Sequence, residues 1–313
     1  MANYIIRRLL HLVPILIGIT VLTFLLMHLS PSDPAERLLT SQGIPVSSDV
    51  LEEVRKEMGL DKPFLTQYGN WMIKIIKGDM GISYMTGRPV YDELASHMPY
   101  TVALAVISMI LTLVLAMPLG VLSAVRENKL TDYFIRFLSF IGMSMPGFLT
   151  ALILIYFVSL KMNLLPVLSQ PGIKGILLPS ITLAAAMTGK YVRQIRAVVL
   201  EEMQKEYVKG ARARGIKESR ILYFNVLKNS MLSIITLIGL SLGSMLGGTA
   251  IVETVFVWPG LGKLVIDAIG YRDYPLIQGY VIWMAVLFVV LNLLTDLIYR
   301  LIDPRIRLNK EVA

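Results

Sequence analysis

Apolar runs long enough to cross a lipid bilayer recur along the whole of this 313-residue chain. A spanning α-helix needs roughly 20 predominantly apolar residues. Only 17% of the residues are charged, whereas soluble domains average about a quarter. The sequence therefore predicts an all-α polytopic membrane protein with six transmembrane helices, at about residues 9–29, 101–125, 137–160, 176–188, 231–255 and 279–301.

The basic residues gather in the hydrophilic segments around Arg7 and Arg8 and at 126–136, 190–228 and 305–310. With six spans these segments all lie on one side of the membrane, which the positive-inside rule identifies as the cytoplasmic side. Both termini are therefore predicted to be cytoplasmic. The formal charge of +8 is a topology signal and gives no support to nucleic-acid binding.

The first apolar run resembles a signal peptide, but it exceeds the usual apolar length of about 7–15 residues and no small-residue cleavage site follows. We interpret residues 1–30 as a cytoplasmic N-terminus with the first span. Residues 31–98 are predicted to form an extracytoplasmic loop region and 99–302 the remaining transmembrane core, with a cytoplasmic loop at 199–230. Residues 303–313 form a cytoplasmic tail in this interpretation.

Local signals refine this division. Within the loop region, Ser47 and its neighbours can cap a helix that continues to Met58, and 65–77 is an amphipathic helix with Tyr68, Trp71, Met72 and Ile75 on one side. Pro118 and Pro146 fall inside predicted spans, where neighbouring helices can satisfy the freed carbonyl groups. A short helix is expected at 261–269. Small-residue spacing that permits close helix packing occurs at Gly239, Gly243, Gly247 and Gly248.

A charged segment at 206–230 lies between the fourth and fifth apolar runs. On a period of 3.6 residues it carries an interrupted apolar face, and Gly215 breaks the helix in the middle. A plain cytoplasmic loop has no need of such spacing. The pattern favours two short helices that dock onto a partner at the membrane surface, with an apolar face of Tyr207, Ala211, Ile221, Leu222 and Phe224.

The sequence predicts no catalytic, cofactor-binding or metal-binding site. It has no G-x-x-x-x-G-K-[ST] loop that would bind ATP, and it has no cysteine, which excludes disulfides and thiolate chemistry. The three histidines, His11, His28 and His97, are isolated from one another. Methionines in the spans could line a soft-metal path, but packing is the favoured interpretation.

Two acidic residues, Glu253 and Asp296, lie near the ends of predicted spans. Ionisable groups at membrane depth are candidates for function. Glu253 lies near the outer interface and could pair with Lys263 or Arg272, while Asp296 lies near the inner end of the sixth span. Both residues are open to two hypotheses, a role in a transport pathway and a structural pairing role.

The charged segment resembles permease subunits of bacterial ATP-binding-cassette (ABC) importers, in their dipeptide, oligopeptide and nickel branch. Members typically read x-Y-[IV]-x-x-A-R-A-x-G, as residues 206–215 do, whereas Lys209 and Gly210 stand where the generic E-A-A-x-x-x-G pattern has Glu and Ala. The resemblance covers nearly the whole chain. Other family-like pieces include G-L-D-K-P at 59–63, G-D-M-G-I-S at 78–83, S-M-P at 144–146, V-W-P-G-L-G at 257–262, R-D-Y-P at 272–275 and D-P-R at 303–305.

The resemblance implies a type I ABC importer permease fold that provides half of a translocation pathway. A second homologous permease subunit would provide the other half, two cytoplasmic ATPase subunits would bind ATP, and an extracytoplasmic solute-binding protein would deliver the cargo. Segments 86–90 and 41–45 look most like the nickel and metallophore members, so nickel, free or chelated, is expected ahead of short peptides. The implied ATPase-docking coupling helices carry Glu206, Tyr207, Ala211, Arg212, Arg214, Gly215 and Ile221.

Two other classes of protein stay open at this point. A stand-alone ion-coupled secondary transporter would show inverted repeats and charged residues near the midplane, and the sequence shows no convincing repeat. A scaffold or sensor that transports nothing would leave the clustered permease motifs without an explanation. Transport by the purified single chain without ATPases would separate the secondary transporter from the importer.

Overall fold

The computed structural model describes residues 2–29, 33–41, 43, 46–170 and 172–302, without the side chains of 2–12, 41, 240, 242, 244, 246, 248, 296 and 298–302. Within those residues the regular secondary structure is helical, and an isolated bridge joins Ile82 and Pro89. The tail predicted at 303–313 and the side chain of Asp296 lie outside the described part of the chain.

The helices follow one another through short connections. Ser47 caps the third helix as predicted, because its hydroxyl accepts a hydrogen bond from the backbone N–H of Val50. α7 and α10 each continue into a π-helix, at Ile155–Lys161 and Ile221–Val226. In chain order the helices are α1 (Ala2–His28), α2 (Pro34–Ser41), α3 (Ser48–Met58), α4 (Phe64–Ile76), α5 (Val90–Val125), α6 (Leu130–Ser144), α7 (Gly147–Leu154), α8 (Ile173–Met203), α9 (Glu206–Ala213), α10 (Glu218–Arg220), α11 (Leu227–Phe256), α12 (Leu261–Tyr271) and α13 (Tyr274–Ile302).

The predicted spans fall on α1, α5, α6 with α7, α8, α10 with α11, and α13. In α1 the described part that is apolar, Val13–His28, is shorter than a full span. In the described part of the chain, the single helices that are long and apolar enough are Val90–Val125, Ile173–Met203, Glu218–Gly239 and Tyr274–Thr295. Two bent pairs also qualify, Leu130–Ser144 with Gly147–Lys161 and Thr249–Phe256 with Leu261–Tyr271. The prediction of an all-α polytopic fold is confirmed.

The third span is not the continuous helix expected at 137–160. α6 and α7 meet at an angle of 103°. Pro146 has no backbone N–H and disfavours the helical conformation in the residue before it, and Met145 is accordingly extended, with φ −78° and ψ 129°. Pro118 has no such effect, since α5 runs unbroken from Val90 to Val125.

The fifth span also differs from its prediction, because it begins well before residue 231. Helical structure starts at Glu218 and continues through the π-helix into α11. The second half of the charged segment is therefore the first part of a spanning helix and not a separate short helix. The short helix predicted at 261–269 is confirmed as α12.

One compact unit consists of Met1–Tyr100 and Pro259–Val290. In this unit the amphipathic helix α4 packs on α1 through aromatic side chains. The Phe24 ring lies 5.4 to 5.6 Å, between centroids, from the rings of Phe64, Tyr68 and Trp71. The hydroxyl groups of Thr20 and Tyr68 are 3.0 Å apart. The apolar face predicted for 65–77 is thus the face that lies against α1.

A buried carboxylate, that of Asp273, joins two other parts of this unit. It accepts hydrogen bonds from the Ser83 hydroxyl at 2.5 Å and from the Met85 backbone N–H at 3.1 Å. Its second oxygen accepts the backbone N–H of Leu276 at 3.2 Å, which caps the start of α13. Burial, together with the charge of Asp273, raises the pKa of the Tyr84 phenol. One side chain therefore holds both the 83–85 segment and α13.

The second compact unit consists of Thr101–Trp258 and the chain from Leu291 onward. α8 lies at its centre, and its Tyr191, Val192, Ile195 and Val199 are buried in the largest apolar cluster of the described residues. α6 approaches α8 at two glycines. A Cβ atom on Gly142 would lie 3.1 Å from the carbonyl oxygen of Ala185, and a Cβ atom on Gly189 would overlap with the carbonyl oxygen of Ser139.

The glycines predicted to mediate close packing in the fifth span behave differently from one another. A Cβ atom on Gly239 would overlap with Thr295, so a close helix contact exists there as predicted. A Cβ atom on Gly247 would meet nothing within 4 Å, and this glycine mediates no close contact within the described part of the chain. The surroundings of Gly248 lie outside what the structure describes.

Candidate functional site

The charged segment folds as a helix, a tight turn and the start of a second helix. α9 covers Glu206–Ala213, and Gly215 has a φ of +73°. This left-handed conformation suits glycine because it has no Cβ atom. The turn is closed by backbone hydrogen bonds from Gly215 to Arg212 at 2.9 Å and from Ile216 to Ala211 at 3.2 Å. Gly215 breaks the helix, as the sequence predicts.

One face of this segment is buried in its own chain. Val208, Ala211, Ile221 and Val226 are each at most 1% exposed and belong to the same apolar cluster as the core residues of α8. Ala211 and Ile221, predicted to lie in the docking helices, thus pack against their own unit. They anchor the segment, and the opposite face of the segment is exposed.

Tyr207 is anchored on the same side by a hydrogen bond. Its hydroxyl donates to Glu202 at 2.9 Å, and Lys205 also contacts Glu202, at 2.5 Å. The hydrogen bond to Glu202 raises the pKa of Lys205. These contacts fix the junction between the end of α8 and the start of α9.

The exposed face contains two aromatic side chains, Tyr223 at 64% and Phe224 at 72% exposure. The placement of Phe224 on the apolar face of the segment is wrong. Residues 221–226 form a π-helix, in which side chains five apart share a face. Ile221 and Val226 therefore point inward together, while Tyr223 and Phe224 between them point outward. A period of 3.6 residues could not reveal this.

The charges on the exposed face are only partly neutralised within the chain. Arg212 forms a two-pronged ion pair with Glu218 across the turn, at 2.7 and 3.2 Å, and this contact raises the pKa of Arg212. Glu206 pairs with Lys209 at 2.7 Å. Arg214, Lys217 and Arg220 are exposed and form no ion pair with any described residue. We call the exposed face formed by Arg214, Lys217, Arg220, Tyr223 and Phe224 the cationic face.

The structure describes the surroundings of Glu253, one of the two acidic candidates in the spans, but not those of the Asp296 side chain. Glu253 is fully buried, and its carboxylate accepts a hydrogen bond from the Thr101 hydroxyl at 2.8 Å. Lys263, one of its predicted partners, forms an ion pair with Asp267. The contact with Thr101 favours the structural hypothesis for Glu253. Asp296 lies on α13, and its side chain is outside the described residues.

A buried ion pair that the sequence did not predict connects α6 to α8. Arg196 donates two hydrogen bonds to Asp132, both at 2.8 Å. The Ser123 hydroxyl and the Asn128 backbone N–H also donate to this carboxylate, at 2.5 and 3.0 Å. Asp132 is fully buried. The pair fixes the connection between α5 and α6 against the part of α8 that leads to the charged segment.

Two family descriptions match the sequence. Residues 116–308 match the binding-protein-dependent transport system inner membrane component, and residues 1–105 match the N-terminal part of such a membrane component. The chain is 37% identical over 307 residues to the glutathione transport system permease protein of Escherichia coli strain K12, covering 98% of this chain and 99% of the relative. Identity to the protein of the same name from Pectobacterium atrosepticum is 38%, with the same coverage.

Solved structures of ABC transporters have the same fold at lower sequence identity. The methionine ABC transporter in inward-facing conformations matches with a TM-score of 0.59 and 18% identity, over 67% of this chain and 96% of that chain. An amino acid ABC transporter with histidines matches with a TM-score of 0.51 and 16% identity, over 69% and 94%. At this identity the similarity shows the fold alone.

Proposed function

The chain belongs to the family of binding-protein-dependent transport system inner membrane components, and we propose that it forms half of the translocation pathway for short peptides delivered by a solute-binding protein. It is a permease subunit of an ABC importer, which is a transporter component and not an enzyme, and it is a protein of the bacterial inner membrane. The similarity to glutathione permeases over 98% of the chain carries the choice of cargo.

A short peptide is the preferred cargo over nickel. The relatives at 37 to 38% identity are named for glutathione, which is itself a small peptide. The segments at 86–90 and 41–45, which look like those of nickel permeases, support the alternative that the cargo is nickel, free or chelated. The two cargoes differ in size and charge, so transport assays separate them directly.

The proposed assembly contains partners beyond this chain. An importer permease of this family works with a binding protein and with ATPase subunits. We propose that a second, homologous permease completes the pathway, that two cytoplasmic ATPase subunits bind the ATP, and that the solute-binding protein is extracytoplasmic. Both termini of the chain are cytoplasmic in this arrangement, consistent with the distribution of basic residues.

The cationic face is the proposed contact with an ATPase subunit. It is exposed, it combines unpaired arginines with two exposed aromatic rings, and tyrosine and arginine are enriched where proteins bind one another. Glu206, Arg212 and Gly215 shape the same surface, and Ala211 and Ile221 join it to the core around α8. Because the segment is packed firmly against α8 and α11, movement of the ATPases would displace these two helices with it. The displacement would open the pathway alternately to each side of the membrane.

Purification with mild detergent tests the assembly and its cargo. We expect the tagged chain to bring along a second permease and ATPase chains, identified by mass spectrometry. The ATPase activity of the eluate should rise when a binding protein loaded with a short peptide is added. A rise with nickel-loaded binding protein alone would replace the peptide by nickel. Recovery of the chain by itself, with no ATPase activity, would contradict the proposed function.

Replacement of Arg214 and Arg220 by glutamate should lower peptide uptake by about tenfold or more. An ATPase surface that complements the cationic face is negatively charged, and bringing glutamates against it would cost several kcal/mol through repulsion of like charges. Both residues are exposed and unpaired within the described chain, so folding and membrane insertion should be unchanged. Uptake of labelled peptide into proteoliposomes and the amount of copurifying ATPase are the measurements. Arg212 is not used, since its replacement would also break the pair with Glu218.

The matched control replaces Lys62 and Lys77 by glutamate. These exposed lysines lie in the loop region predicted to be extracytoplasmic, and the net charge changes by the same amount. Uptake by this variant should equal that of the unmodified importer. Normal uptake and normal ATPase recovery in the Arg214 and Arg220 variant would show that the cationic face is not the docking surface.

A further inference from the structure

A cavity of about 710 Å³ lies within the unit formed by Met1–Tyr100 and Pro259–Val290. Its walls come from α1, α3, α4, the segment at 79–84 and the first turns of α13. The volume falls within the range of about 300–1,000 Å³ typical of small-molecule sites. The cavity involves neither the cationic face nor the buried pair of Asp132 and Arg196, so the coupling mechanism leaves it without a role.

A buried amide faces this cavity without a partner. Gln278 lines the cavity, is 8% exposed, and its side chain forms no hydrogen bond with any described residue. Its amide atoms are not fully enclosed by protein, so they are available to a molecule in the cavity. Gln278 can both donate to a carbonyl group and accept from an N–H group, which are the two groups of a peptide backbone.

The charges on the cavity wall form two sets. Arg55 pairs with Asp33, and Lys56 pairs with Glu52 at 2.9 Å, so these four are neutralised within the protein. Lys74, Asp61 and Asp79 also line the cavity, and none of the three forms an ion pair with a described residue. Asp79 accepts a hydrogen bond from the backbone N–H of Gly81 at 2.9 Å. Lys74 can bind a carboxylate and Asp61 an ammonium group, so the wall suits a ligand that carries both.

The remaining wall is apolar and aromatic. Phe24, Trp71, Met58 and Met80 contribute to it. Phe24 and Trp71 are already held in place by their mutual contact at 5.5 Å between ring centroids. Aromatic and thioether surfaces accept side chains of varied shape, so this wall suits a ligand whose ends are constant and whose side chains differ.

From these observations we propose that the cavity is a binding site for a short zwitterionic peptide, held by the Gln278 amide and by Lys74 and Asp61 at its charged ends. This proposal rests on the proposed function, in which short peptides are the cargo. The site would receive a peptide on the side of the membrane where the 31–98 loop region lies. It would do so before the peptide enters the pathway shared with the second permease.

Photolabelling of the intact importer tests the site. The importer, in lipid nanodiscs and without binding protein, would be exposed to the tripeptide Ala-Phe-Ala with a diazirine on its central side chain. We expect labelled residues in α4 and in the first turns of α13. The same peptide with acetylated and amidated ends should compete about tenfold less well, because it lacks both charges. Labelling confined to other parts of the importer would overturn the proposal.

Variants of the wall make the test specific. Gln278→Leu and Lys74→Gln should each weaken peptide binding by about tenfold, which corresponds to about 1.4 kcal/mol. Lys74 is on the surface, so its variant remains informative if Gln278→Leu folds poorly. Lys77→Gln, on the same helix end but outside the cavity wall, should bind peptide like the unmodified importer. Unchanged binding in Lys74→Gln, together with unchanged binding in a folded Gln278→Leu, would also overturn the proposal.

Peptide uptake, measured in parallel with the binding protein present, separates this proposal from the proposed function. Uptake of the tripeptide without labelling of the cavity would overturn the site and leave the function intact. Labelling of the cavity without uptake would support the site and contradict peptide as the cargo. Absence of both uptake and labelling would contradict both.

Discussion

Replacement of Asp132 by alanine is expected to lower the free energy of unfolding by about 3–5 kcal/mol, the usual cost of removing one partner of a buried ion pair. The variant leaves Arg196 with a side chain only 16% exposed and without the carboxylate that accepts its two hydrogen bonds. The Ser123 hydroxyl and the Asn128 N–H lose the same acceptor. Unfolding by a denaturing detergent, followed by protease sensitivity of the connection between α5 and α6, measures the loss.

Two further variants establish that the lost pair is the cause. Glu127 lies 4.0 Å from Arg196 but is half exposed, so Glu127→Ala should cost less than about 1 kcal/mol. Exchange of both charges for apolar residues, Asp132→Leu with Arg196→Met, should recover much of the stability, because an isolated buried charge is then no longer present. A loss below about 1 kcal/mol in Asp132→Ala would show that the pair contributes little.

Replacement of Gly189 by valine is expected to cost about 3 kcal/mol, at the upper end of the usual range for overpacking. The Cβ atom would overlap with the carbonyl oxygen of Ser139, and this obstacle is backbone, which cannot rotate away as a side chain can. α6 and α8 would have to separate, which also disturbs the contact of Gly142 with Ala185. Thermal unfolding of the purified importer in nanodiscs measures the effect.

The control for this second variant is Gly247→Val. Gly247 is helical and exposed, and a Cβ atom there meets nothing within 4 Å. Because valine also has a higher helix propensity than glycine, this variant should change stability by less than about 1 kcal/mol. Equal effects of the two substitutions would mean that the approach of α6 to α8 does not depend on Gly189.

The features that the sequence predicted are those with local signals. The apolar runs located the spans, Ser47 located the start of α3, and Gly215 located the turn after α9. The aromatic face of α4 followed from its helical periodicity. In each case the residues that carry the signal lie within a few turns of one another, so propensity and period are sufficient.

The features that the sequence did not predict depend on distant contacts or on small changes of helix geometry. Asp132 and Arg196 are 64 residues apart, and neither has a local pattern that identifies the other. The prolines at 118 and 146 look alike in sequence, yet only the second coincides with a break. The exposure of Phe224 follows from a π-helix that no periodicity revealed. Nothing in the sequence distinguishes Gln278 from other amides, and only its burial in the structure draws attention to it.

The hydrogen bonds of Asp273 also restrict how its unit can move. The same carboxylate caps α13 and holds Ser83 and Met85, so these parts cannot separate without leaving a buried charge short of donors. Each lost hydrogen bond to a charged group costs about 1.5–3 kcal/mol. Any displacement of the start of α13 during a transport cycle therefore carries the 83–85 segment with it. The start of α13 and the 83–85 segment therefore move together as one rigid body, and the chain does not bend between them.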